Sequence, residues 1–202
     1  MRFRRCYCTP LLCAVVLFPA SVNADVTRSV DEETGLVSWR MSEGSFELEL
    51  AQLLPDQTRA FFLARGFSQQ IADRIATGCV MQTIGRNTAG KGASGAVEVN
   101  LKQWRMKHDN AEGPIKLKEQ WDGEWPPGAV SEAARLAFRW ATFPTQQRFE
   151  AGDFGWGMTS FGLPPGANFD LKVVWSDAGI QQQRWLKGVQ CAEEQVFFRE
   201  EH

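Results

Sequence analysis

Trp104, Met106 and His108 stand two residues apart at the end of a segment, Ala96 to His108, whose first half alternates Val97, Val99 and Leu101 with Glu98, Asn100 and Lys102. Side chains on a strand alternate between its two faces. One uninterrupted strand therefore carries Trp104, Met106 and His108 on the face opposite the apolar set. A thioether and an imidazole at that spacing suit a soft cation such as Cu(I), and a neighbouring indole can cap such a cation through its π face. Met81 lies on a strand expected to pair with this one and is the next ligand candidate, with Met41 and Met158 behind it. The competing reading is packing, since scattered methionines commonly fill gaps in a core.

The second candidate chemistry is aromatic. Eight tryptophans stand against a single tyrosine, Tyr7. Trp121, Trp125 and Trp156 sit among Gly, Pro and Asp, which reads as loops near the surface, where an indole can stack on a sugar ring or anchor a protein partner. Trp140 falls on an apparent helical stripe with Ala133, Leu136 and Ala137, and Trp175 is in phase with Phe169, Leu171 and Val173. Both are expected in the core. The glycine-rich stretch from Gly152 to Gly166, with Phe154, Trp156, Met158 and Phe161, reads as a loop, either one lip of a binding site or a packed loop.

Familiar catalytic patterns fail on inspection. Gly85 to Lys91 matches the first seven positions of a phosphate-binding loop, but Gly92 stands where the magnesium-holding Ser or Thr is needed and no helix pattern follows. Gly155-Trp156-Gly157 lacks the third glycine of a dinucleotide fingerprint, and Met158 replaces the first glycine of a nucleophile elbow around Ser160. The chain has two histidines, His108 and His202, and no serine is presented to either. Glu47 and Glu49, two apart on a strand, mark a solvent face rather than a hydrolase pair.

These residues need a scaffold, and the first 24 residues give it an address. Arg2, Arg4 and Arg5 precede an apolar run from Leu11 to Phe18, and Val22-Asn23-Ala24 offers small-residue cleavage. Residues 1–24 are read as a secretory signal peptide, too short in its apolar core to span a membrane. Cleavage removes three arginines and no acid, taking the formal net charge from −2 to −5. An acidic domain without a basic stripe excludes nucleic acid as a partner. Two cysteines then remain, Cys79 and Cys191. In a periplasmic or secreted protein they are expected to pair as a disulfide.

Residues 25–202 read as a single globular domain. Leu36 to Met41 and Ser45 to Leu50 predict a hairpin, and Asp177-Ala178-Gly179 predicts another between Phe169–Trp175 and Ile180–Val189. Further strands are expected at Val80–Arg86, Ala96–Lys107, Gln146–Ala151 and Val196–Arg199. Helices are expected from an Asp56 N-cap to Gly66, from a Ser68 N-cap to Gly78, and from Ser131 to Pro144. The fold class is α+β, mainly antiparallel β (sheet or sandwich), with two or three short helical insertions. The function expected is an exported, non-enzymatic binding or accessory domain, copper handling being its most specific form. The alternative is a module that binds another exported protein or a glycan through surface tryptophans, and a hydrolase without a recognisable motif ranks third.

Overall fold

The computed structural model describes residues 25–93 and 95–194; the signal segment and the strand expected at Val196–Arg199 lie outside them. Among the described residues, eleven strands form two antiparallel sheets, joined by four α-helices, so the chain is mainly β within the α+β class. The first sheet runs β1 (Asp25–Val30), β2 (Val37–Glu43), β3 (Phe46–Gln52), β4 (Val80–Asn87) and β9 (Phe154–Ser160). Its register pairs Trp39 with Leu50, Leu50 with Thr83 and Thr83 with Gly157 on the inner face. The alternation read in Phe46, Leu48 and Leu50 is therefore real: all three are fully buried. The strand β1 carries no apolar alternation and was not expected.

In the second sheet the spine is β10 (Asn168–Asp177). One side of it pairs with β11 (Ile180–Gln190) through the expected turn, where Ala178 and Gly179 both have positive φ. The other side pairs with two strands set end to end, β5 (Val97–Asn100) and β6 (Arg105–His108), which in turn pair with β8 (Gln146–Phe149) and β7 (Ala111–Pro114). The long strand expected from Ala96 is thus two strands, broken by a 3₁₀ turn at Leu101–Gln103 that Asn100 caps. The inner faces of the two sheets share one apolar cluster, within which Phe46 meets Trp175 at 5.3 Å between ring centroids.

A second cluster lies on the outer face of β4 and β9, roofed by α1 (Pro55–Leu63), α2 (Gln69–Ala76), α3 (Lys118–Glu124) and α4 (Glu132–Ala141). Ser68 caps α2 as expected, accepting from Ile71 N–H. Helix α1 is capped by Leu54 with Pro55 as its first residue, placing Asp56 inside the first turn rather than at the cap. The fourth helix, α3, has no apolar stripe in sequence and was not anticipated. It buries Trp121 and delivers Trp125, whose ring meets Phe138 edge-on at 4.9 Å and Phe67 at 5.3 Å. Helix α4 lies one residue out of the expected phase: Ala134 and Phe138 face the cluster, and the Leu136/Trp140 stripe faces water. Phe138 fits among Phe62, Phe67 and Trp125, and that aromatic nest sets the rotation of the helix.

Cys79 and Cys191 lie at disulfide distance, 2.05 Å between sulfurs and 5.2 Å between Cα atoms, 112 residues apart in sequence. Cys79 takes a left-handed backbone conformation (φ 53°), while Gly78 before it is needed for space: a Cβ there would meet Trp121 Cζ2 at 3.0 Å.

Candidate functional site

The strand β9 carries two of the three most exposed aromatic side chains among the described residues. Its odd positions face inward, and two of them are glycines, Gly155 where space is tight and Gly157 where no side chain fits. A Cβ on Gly155 would meet Phe149 at 3.1 Å, and one on Gly157 would run into the main chain of Thr142 and Phe143. The even positions face outward and carry Phe154, Trp156 and Met158, paired across the sheet with Arg86, Ile84 and Gln82. Met158 is roofed by the helices, but Phe154 is 66% and Trp156 63% exposed. The segment was expected to be a loop; it is a strand whose glycines answer a packing demand rather than a turn.

The helix α4 runs past the same edge, since Thr142 bridges Met158 and Phe143 N–H donates to Met158 C=O at 2.9 Å. It carries Trp140, 81% exposed, and Leu136, 49% exposed. The rotation of α4 is held by Asp122, which accepts from Arg135 at 2.5 Å and Arg139 at 2.6 Å. Burial pushes the Asp122 carboxyl up, but the hydrogen bonds from Arg139 and Arg135 outweigh it and hold it below the usual carboxylate range. Next to the aromatic residues, the outer face of the sheet turns polar through two ion pairs, Arg86–Glu47 at 2.9 Å and Arg40–Glu49 at 2.7 Å. Glu47 and Glu49 are thus each engaged by an arginine on the wet face, as their alternation implied.

Comparison with protein-family models, curated proteins and solved structures finds no match for this chain. The site must be read from its own geometry.

Of the tryptophans expected at the surface, only Trp156 is there. Trp121 and Trp125 are 3% and 6% exposed, drawn in by α3 and the aromatic nest around Phe138. Trp140 is the converse correction, a residue expected in the core that stands in water. Beneath the helical roof, Trp121, Lys116, Met158 and Ser160 line a crevice of about 20 Å³, with Lys116 Nζ 3.5 Å from the Trp121 ring centroid. That is room for a water molecule, and Trp121 Nε1–H has no acceptor among the described residues.

The soft-ligand stripe is differently placed. The 3₁₀ turn at Leu101–Gln103 resets the alternation, so Val97, Val99 and Leu101 before it and Trp104 after it all enter the same core. Trp104 is fully buried and its indole N–H donates to Val174 C=O at 3.1 Å. Met106 pairs with Leu171 and packs against that core, half-buried. His108 Nδ1 donates to Asn168 C=O at 2.8 Å, and its Nε2 lies 3.2 Å from Asp109. Met81 is fully buried on the inner face of β4, in the other sheet, and Met41 is likewise core. Trp104 and Met106 turn to the core rather than to the face opposite Val97 and Val99, and His108 ends β6 beside Asn168 and Asp109. Among the described residues no group of three or more His, Cys, Asp or Glu side chains is placed to hold a metal.

Proposed function

We propose that the chain is an exported, periplasmic or secreted, non-enzymatic binding domain whose ligand surface is the corner formed by Phe154, Trp156 and Trp140. The observation that carries this reading is the exposure of three large aromatic side chains on regular secondary structure, two of them backed by glycines that leave the strand no alternative rotation. Large aromatic side chains held in water on regular elements mark interaction surfaces, and indoles supply large contact area at low entropic cost. The Cys79–Cys191 pair supports an oxidising compartment. No described helix is long and apolar enough to cross a membrane. Two sheets sharing a core, taken as a sandwich, give the corner a rigid base.

The test uses the mature chain and indole emission. Chitohexaose, cellohexaose and a panel of extended octapeptides are titrated against wild type, Trp156→Ser and Trp140→Ser. Binding to at least one probe, weakened tenfold or more in Trp156→Ser, is the expected result. A probe that binds equally well to both variants places the ligand surface elsewhere and sinks this reading.

A further inference from the structure

The corner has a second property besides its aromatic side chains: the main chain beside them is open. Asp153 C=O accepts from Asn87 N–H at 2.9 Å, so the odd residues of β9 direct their peptide groups toward β4. Met158 C=O accepts from Phe143 N–H, so the even residues direct theirs the other way. At Met158 that outer side is occupied by the chain following α4, and at Ser160 by a bridge to Lys116. At Phe154 and Trp156 no described residue pairs with it, and β9 is the terminal strand of its sheet. Two N–H groups and two C=O groups therefore face outward in the plane of the sheet, directly beside the two exposed rings.

Proteins usually guard such an edge with charge, proline or a bulge. The opposite edge strand, β1, carries Arg28 with Thr27 and Ser29, whereas Phe154 to Gly157 carries neither charge nor proline. We infer that this edge accepts an extended peptide as an added antiparallel or parallel strand, with apolar side chains at alternate positions packing on Phe154 and Trp156. The inference rests on the aromatic corner being the ligand surface and names its occupant. The spacing favours a polypeptide: Phe154 and Trp156 are two residues apart, about 6.6–6.8 Å along the strand, the repeat of same-face side chains in any extended chain. A sugar ring stacked on the indole would leave the four main-chain groups unused. The size favours a short segment over a folded partner. At their exposures the two rings offer on the order of 100–150 Å² each, far below the roughly 800 Å² per partner of a stable protein interface. Main-chain hydrogen bonds supply affinity in this mode, and alternate side chains supply selectivity.

The experiment reads the Phe154 and Trp156 amides by hydrogen exchange on unmodified mature protein. The probes are octapeptides alternating Val or Leu with Thr, the same peptides N-methylated at every second residue in each of the two phases, and chitohexaose. At least one octapeptide is expected to slow exchange at Trp156 by tenfold or more, and one N-methylated phase is expected to lose that protection. Phe154→Pro removes an outward N–H while sparing the bonds to β4, and it should weaken the peptide tenfold without loss of the folded circular-dichroism spectrum. Peptide binding with no amide protection, or no binding by any octapeptide, overturns strand addition. Chitohexaose binding that depends on Trp156 and leaves the amide unprotected keeps the corner as the ligand surface while overturning the peptide. Protection that rises with protein concentration alone makes a second copy the occupant and overturns it equally. If no probe binds and Trp156→Ser changes nothing, both the corner and its occupant are lost.

Discussion

The strand β6 with the residue before it, and the strand β9, each carry a tryptophan and a methionine two residues apart and turn them to opposite faces. In β6 and the residue before it, Trp104 and Met106 point into the core while Arg105 and Lys107 take the outer positions. In β9, Phe154 and Trp156 point outward while Gly155 and Gly157 take the inner ones. The aromatic residue does not decide its own side; its neighbours do. Beside β6 the core has space for an indole and an acceptor for its N–H. Beneath β9 the space is already filled by Phe143 and Phe149, so Gly157 tolerates only hydrogen and Gly155 has little room for more. Exposure of Trp156 is thus a consequence of packing two residues away.

The comparison breaks most completely at Gly157. Gly157→Ala should cost more than about 3 kcal/mol, because the new methyl meets main chain that cannot swing aside. Denaturant unfolding checks this, and a loss below ~1 kcal/mol would mean that β9 can move off Phe143. The two tryptophans should then separate cleanly. Trp104→Ala is expected to lose about 3–5 kcal/mol, while Trp156→Ala should stay within about 0.5 kcal/mol of wild type. Equal losses would show that both rings are structural.

Much of the scaffold was legible in sequence wherever the signal was local. The β2–β3 hairpin, the Ser68 cap, the turn at Ala178-Gly179 and the Cys79–Cys191 pairing were all readable, because each depends on neighbours in the chain or on two residues alone. The β6 stripe was misoriented because Leu101-Lys102-Gln103 holds neither Gly nor Pro to announce a 3₁₀ turn. The strand β9 was hidden because glycine is the commonest loop signal, and here it records the proximity of Phe143 and Phe149, which lie elsewhere in sequence. Trp121, Trp125 and Trp140 were missed together: one aromatic nest chose Phe138 over Trp140 and so fixed which rings are buried.

The smaller tests sharpen the same contrast. Asp122 holds α4, and with it Trp140, in register with the corner. Its carboxyl lies below its ordinary value of 3.8 in the folded state, so its contribution is present above that pH and is lost as pH falls through the lowered value. Wild type should therefore lose melting temperature on acidification below about pH 4 more steeply than Asp122→Asn, which should itself cost about 1 kcal/mol at neutral pH. Matching profiles would remove Asp122 from the account. The smallest effect expected is at β6: anaerobic Ag(I) should leave indole emission the same in wild type and in a Met106→Leu, His108→Ala double variant. Quenching in wild type that the double variant abolishes would restore the soft-metal reading of that stripe.

Cys79 and Cys191 stand at disulfide distance, and a bond between them has a mechanical consequence. Oxidised, the pair closes residues 79–191 into a covalent ring that contains every element from β4 to β11. Tension between residues 25 and 194 would run along residues 25–79, cross the two sulfurs and leave by the last few residues. At full extension of about 3.4 Å per residue, the oxidised chain could lengthen to roughly 200 Å, against roughly 570 Å once reduced. The strand β9 lies inside the ring and off that load path. Pulling on the oxidised molecule can peel away β1 to α2, but only reduction lets force reach the aromatic corner along the chain.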